Sequence, residues 1–203
     1  MPTQTAKPAR MPAQERREQL LDATKRVVAE HGFHGASIES VAREAGITRP
    51  IVYGHFQDLG GLLEALIERE SARALAQLAD VLPRDLGAGD PGEALLVALR
   101  GYLEAVRADP DTWRLVLMPS EGAPAMLHDH ITAGRSAVVA QLAAAMGPGL
   151  GSGNEPPDPE LAARMLSAFA DEAARLMLTD PERYSVERIL AQAAWGLGQL
   201  PPG

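Results

Sequence analysis

Apolar residues recur at spacings of three and four along almost the whole chain, and no β-branched run alternates with polar positions. That pattern predicts an all-α protein of about nine helices. Pro and Gly clusters set the breaks, at residues 1–12, 83–92, 119–124, 147–159, 180–181 and after Gln199. A first helix is expected from Ala13 to His31, with Leu20, Ala23 and Val27 on one face and Gly32 as a left-handed cap. Two short helices follow, near Ile38–Ala45 and Arg49–His55. A long amphipathic helix then runs from about Leu59 to Leu82, and Leu62, Leu63, Leu66, Ile67, Leu75 and Leu78 form its buried stripe. Five more are expected near Glu93–Ala108, Pro110–Met118, Ala125–Met146, Pro159–Thr179 and Ser185–Leu197. Residues 1–12 read as a flexible arm and loop 147–159 as mobile.

The most informative stretch is Ser37 to Phe56, SIESVAREAGITRPIVYGHF. It reads as two short helices joined by a tight corner. Ser37 can cap the first helix, whose inward face is Ile38, Val41, Ala42 and Ala45. Gly46 supplies the positive φ that a helix-turn-helix corner demands. Thr48 can cap the second helix, and Pro50 fits in its first turn, where a missing N–H costs nothing. With Ile51, Val52 and Phe56 packed inward, Thr48, Arg49, Tyr53, Gly54 and His55 are left for an outer face. A DNA major groove admits one such helix and is read by its leading side chains. Arg49 stands at that end, Tyr53 and His55 can reach phosphate oxygens, and Gly54 lets the backbone approach the duplex.

Net charge at first argues against this. The chain carries −8, whereas nucleic-acid affinity comes largely from cations placed on phosphates. The balance is uneven, however: residues 1–57 carry +2 and residues 58–203 carry −10. An acidic body would be held away from the polyanion that the head binds. The absence of Cys excludes a disulfide framework, a thiolate nucleophile and Cys-based metal sites. No run reaches the roughly 18 apolar residues of a membrane span, and the first residues lack a signal peptide's apolar core. A soluble, cytoplasmic protein without a cofactor is expected. With no Gly-rich phosphate loop, nucleophile elbow or paired-His zinc motif, an enzyme is not.

Together, Leu20-Leu-Asp-Ala-Thr, Glu30-His-Gly-Phe33, Ser37, Val41-Ala42, Ala45-Gly-Ile-Thr48 and Val52-Tyr53-Gly-His55-Phe56 resemble the TetR family of repressors over about residues 16–63. The resemblance implies that Ser37, Thr48, Tyr53 and His55 bind backbone phosphates while Arg49, Pro50 and Gly54 face base edges. It also implies a homodimer, a palindromic operator read in successive major grooves, and a small-molecule effector held in the C-terminal body. The chain departs from the family pattern at Ala36 and Leu59, where relatives carry phosphate-binding side chains. Glu39 can either repel phosphate or accept from a cytosine amino group. The expected division is an arm at 1–12, a helix-turn-helix domain at 13–57 and an effector-binding and dimerisation domain at 58–203.

In the body, Tyr102, Trp113, Met118, Met126, Phe169 and Met177 are candidates to line a ligand cavity, since aromatic and thioether groups suit apolar ligands. Ordinary core packing is the competing role for each. Arg114, Arg135 and Arg175 can orient a carboxylated ligand or pair with neighbouring acids. His128, Asp129 and His130 carry ligand-type side chains, but residues two apart on a helix do not share a face, so no metal is expected. Stripes at Leu161, Met165, Phe169 and Leu176, and at Val186, Ile189, Ala193 and Leu197, suggest that the last two helices pair with those of a second copy. Two other roles remain open: a helical enzyme or small-molecule-binding protein without a DNA role, and an architectural DNA-binding dimer without an effector.

Overall fold

The computed structural model describes residues 11–87, 89–146 and 158–198, and among these every regular element is a helix. The elements are α1 (Ala13–Gly35), α2 (Ile38–Glu44), α3 (Arg49–Tyr53), α4 (Leu59–Ala79), α5 (Pro91–Ala108), α6 (Pro110–Leu117), α7 (Ala125–Ala145), α8 (Pro159–Thr179) and α9 (Val186–Gly198). Most of the arm expected at 1–12, most of the loop expected at 147–159 and the tail beyond Gly198 lie outside the described residues. The chain divides into two compact units after Leu66, within α4.

In the first unit, Leu20, Val41, Val52 and Leu62 are fully enclosed, and Leu21, Val27, Phe33 and Phe56 are nearly so. Phe33 reaches the core through a break in α1. Gly32 has φ 68° and ψ 179°, a conformation open essentially to glycine, so the helix kinks there and resumes for one more turn. The sequence reading had α1 end at a left-handed Gly32. The backbone is instead extended in ψ, because the chain must continue into a turn that seats Phe33.

The second unit packs two clusters. In one, Trp113 is almost wholly buried, donates Nε1–H to Gln77 Oε1 at 2.9 Å, and meets Tyr102 edge to face at 5.1 Å. Leu103, Val106, Ala174, Val186 and Ile189 surround them. In the other, Leu86, Val139, Leu142 and Ala163 pack together, and Leu86 N–H donates to the Ala145 carbonyl at 3.1 Å. Leu86 belongs to the irregular segment before α5. Helical periodicity could not expose it, since it lies on no helix face.

A buried acid ties α4 to α6. Glu70 is wholly enclosed, pairs with Arg69 at 2.7 Å and Arg73 at 3.7 Å, and accepts from the Thr112 hydroxyl. Asp109 joins the group, 3.6 Å from Arg73, with its Oδ2 2.8 Å from the same Thr112 hydroxyl, whose single proton the two carboxylates share. Charges this buried persist only when paired, so the cluster fixes the register of α6 against α4.

Candidate nucleic-acid interface and ligand cavity

The corner between α2 and α3 follows from local chemistry. Ser37 and Ser40 form a reciprocal capping box: Ser40 N–H donates to Ser37 Oγ at 3.0 Å, and Ser37 N–H donates to Ser40 Oγ at 2.9 Å. At the other end, Gly46 N–H bonds the Arg43 carbonyl at 3.1 Å and Ile47 N–H bonds the Ala42 carbonyl at 2.9 Å. These two bonds constitute a Schellman closure, and it requires the φ of 67° that Gly46 adopts. The space around Gly46 is open, so conformation rather than crowding selects glycine there. Across the corner, Gln19 Nε2 donates to the Ala45 carbonyl at 3.1 Å, tying α1 to α2.

Val52 of α3 and Phe56, just past the end of that helix, sit four residues apart and are both buried. Arg17 stacks over the Phe56 ring at 4.6 Å from its centroid. Thr48, Arg49, Pro50, Tyr53 and Gly54 are exposed, His55 is half-buried, and Ser37 is exposed while serving its cap. Tyr53 is 56% exposed, which leaves its hydroxyl free to reach outward. Among the described residues nothing pairs with the Arg49 guanidinium.

Two expectations are corrected here. Thr48 occupies the cap position of α3, but its side chain makes no capping bond. Ile51 is 40% exposed rather than packed inward. With Val52 and Phe56 setting the inward direction, a residue one step earlier is turned about 100° away and joins the outer surface. The i, i+4 pairing of Val52 with Phe56 was the signal that could have revealed this. An outward Ile51 adds an apolar contact of the kind that suits a thymine methyl group.

The second unit encloses a cavity of about 410 Å³, within the range of small-molecule sites. Leu78, Leu95, Leu99, Val138, Leu142 and Leu166 are among its walls, together with Tyr102, Trp113 and Phe169. Met118, Met126 and Met177 fall outside its lining: Met118 is exposed, Met126 half-buried, and Met177 packs in the core beside Ala173 and Ala174. Leu75, expected in the buried stripe of α4, is 39% exposed because it borders this hollow.

One end of the cavity is polar. Arg135 Nη2 lies 2.7 Å from Asp171 Oδ2, the Tyr102 hydroxyl donates to Asp171 Oδ1 at 3.3 Å, and Arg175 approaches the same carboxylate at 3.9 Å. Burial above all, and then the charge of Asp171, push the Tyr102 hydroxyl well above its ordinary range, so it remains a donor. Arg114 pairs with Asp111 and Arg175 also with Glu172. His130 lines the cavity, while His128 and Asp129 are exposed. Among the described residues no three His, Cys, Asp or Glu side chains converge to hold a metal.

The model of bacterial regulatory proteins of the tetR family matches residues 20–66, a span that contains α2, the corner and α3. Residues 20–66 are thus similar to the N-terminal domain of that family. Its fold along 94% of its length matches the whole of a TetR-like transcriptional regulator from Rhodococcus sp. RHA1, with TM-score 0.72 and 25% identity. A solved complex of SmeT with triclosan matches with TM-score 0.69 and 25% identity, over 90% of this chain and 91% of that one. Among curated proteins, the HTH-type transcriptional activator FasR of Mycolicibacterium smegmatis is 28% identical over 107 residues, 53% of this chain and 48% of FasR. The chain spans about half the length, or less, of the curated relatives it matches. These relatives are regulators rather than enzymes.

Within the TetR-type head, the proposed DNA-facing residues were legible because they form one contiguous motif. The body was not legible in the same way. Asp171, Arg135 and Ser167 come together from α7 and α8, and no linear spacing announces them. Among the described residues, no helix is long and apolar enough to cross a membrane.

Proposed function

We propose that this chain is a ligand-responsive transcriptional repressor that binds a palindromic operator as a homodimer in the cytoplasm. The observation that carries the reading is the outer face of α3, where Arg49 and Tyr53 stand exposed on a helix anchored from behind by Val52 and Phe56. In this reading Arg49, Pro50, Gly54 and Ile51 meet base edges, and Ser37, Thr48, Tyr53 and His55 meet phosphates. The apolar cavity of the body supports an effector role, as does the SmeT–triclosan complex on the same fold.

Dimerisation is assigned to the outer face of α8. Leu161 and Met165 stand four residues apart and are 53% and 66% exposed, Phe169 one turn further on borders both this face and the cavity, and Trp195 of α9 is 64% exposed. The stripe expected on α9 serves the monomer instead, since Val186 and Ile189 are buried in the core and Ala193 and Leu197 line the cavity. Effector release of DNA then follows from linkage: the effector prefers a conformation in which the paired heads no longer match two successive grooves.

The deciding experiment is footprinting on the DNA upstream of the gene, repeated across a salt series. Protection of a two-fold symmetric site, weakening steeply with salt, is expected. No protection at low ionic strength would end the regulator reading. FasR is named an activator, so activation is the second reading. Transcription from the protected promoter in a purified system, with and without the protein, separates the two.

A further inference from the structure

The cavity of the body is not uniformly apolar, and its polar end has an asymmetry of charge. Arg135, Ser167 and Asp171 form a wall common to the cavity and to a second hollow of about 200 Å³, whose lining also includes Arg164 and Arg175. Three arginines therefore line the smaller hollow with one acidic residue among them. Glu160 and Glu172 answer Arg164 and Arg175, at 2.7 and 3.2 Å. Asp171 alone faces Arg135, and it is shared with Arg175 and the Tyr102 hydroxyl.

We propose that the body takes an amphipathic anion, whose apolar part fills the larger cavity and whose carboxylate or phosphate head replaces Asp171 on Arg135. The proposal rests on reading the body as an effector-binding domain and names the class of effector.

Three observations favour it. The walls of the larger cavity are mostly aliphatic, so they select an apolar body by area removed from water. The Arg135–Asp171 pair is partly exposed, with side chains 47% and 16% accessible, so exchanging one carboxylate partner for another costs little. A guanidinium presents a planar fork that holds carboxylate and phosphate oxygens in pairs. Displaced from Arg135, Asp171 keeps Arg175 and the Tyr102 hydroxyl as partners. A cationic head would meet Arg135, Arg164 and Arg175 and be repelled. An uncharged head would gain little from Arg135, which already holds a carboxylate.

Isothermal titration of the full-length protein, without DNA, tests this with decanoate, decyl phosphate, decanol and decyltrimethylammonium below their micellar concentrations. At least one of the two anions is expected to bind about tenfold or more tighter than decanol, with the ammonium weakest. The stronger anion identifies the head group. Arg135→Gln should weaken the anion by about tenfold and leave decanol unchanged, so decanol reports that the variant is folded. Asp171→Asn, which removes the internal competitor, should tighten the anion, an effect opposite in sign to damage. Decanol or the ammonium matching the anions, Arg135→Gln leaving the ratio unaltered, or no binding of any of the four would overturn the proposal. A protein that binds decanoate yet ignores its upstream DNA would instead retain this site and lose the regulator reading.

Discussion

Residues 11–66 enclose Leu20, Val41, Val52 and Leu62 completely and turn Arg49, Pro50 and Tyr53 outward, whereas the described residues from 67 onward arrange two apolar clusters around a hollow of about 410 Å³. The two regions share a helical alphabet and spend it differently. The head has short helices pinned by a capping box, a Schellman closure and a glycine kink, which hold its outer face in one shape; on the proposed reading that face must match the fixed dimensions of a groove. A cavity must hold space open against the tendency of protein interiors to close-pack. In the body the Glu70 cluster ties the middle of α4 to the start of α6, and the Leu86 segment ties the end of α7.

The largest expected effect bears on that bracing. Glu70→Ala removes the buried carboxylate that Arg69 and Thr112 share and should destabilise the body by about 3–5 kcal/mol. Urea denaturation followed by Trp113 emission reports this, provided Trp195 is first replaced by Phe. A loss under about 1 kcal/mol would mean the cluster is solvated and braces nothing.

In the head the corresponding lesion is smaller. Gly32→Ala forces a β-carbon into a conformation essentially closed to it, at about 1–3 kcal/mol, and should displace Phe33. Backbone amide exchange in residues 20–56 should accelerate while exchange in α5 and α8 does not. Equal acceleration in both regions would break the contrast drawn between them.

Function is separable from stability on the head. Arg49→Ala should cost about 1–3 kcal/mol of discrimination between operator and random DNA, with no change in melting temperature. Tyr53→Phe should lower affinity for both DNAs alike, by about 1 kcal/mol. Competition gel-shift assays measure both, and unchanged operator preference in the Arg49 variant would remove that residue from the base-reading set.

The smallest effect is in the body at alkaline pH. The Tyr102 hydroxyl has its folded-state pKa raised above the ordinary value of 10.0, chiefly by burial. Its neutral form is therefore favoured by folding, and this share of stability is full below pH 10 and lost as pH rises towards the raised value. In an ultraviolet titration, one of the three tyrosines should fail to ionise with the others, and Tyr102→Phe should abolish that late step.

The chain's periodicity was enough to place the helices within a few residues, and α8 falls on the expected bounds of Pro159 and Thr179. It was less informative about which face of a helix is used. Ile51 and Leu75 both read as core and both lie partly open, since a short helix has one inward direction and a helix bordering a hollow has nothing to bury against. Met118 and Met177 are chemically suited to a ligand cavity, yet one is exposed and the other packed in the core.

The amino-acid sequence by itself determined the elements and the helix-turn-helix corner, because capping, turn conformation and the i, i+4 pairing of Val52 with Phe56 are interactions between near neighbours. Only the tertiary structure decided the cavity, the Arg135–Asp171–Tyr102 cluster and the burial of Glu70. Each of these joins residues 36 to 69 positions apart, or 42 in the case of Glu70 and Thr112, and such separations are set by how whole helices pack, which no local spacing encodes.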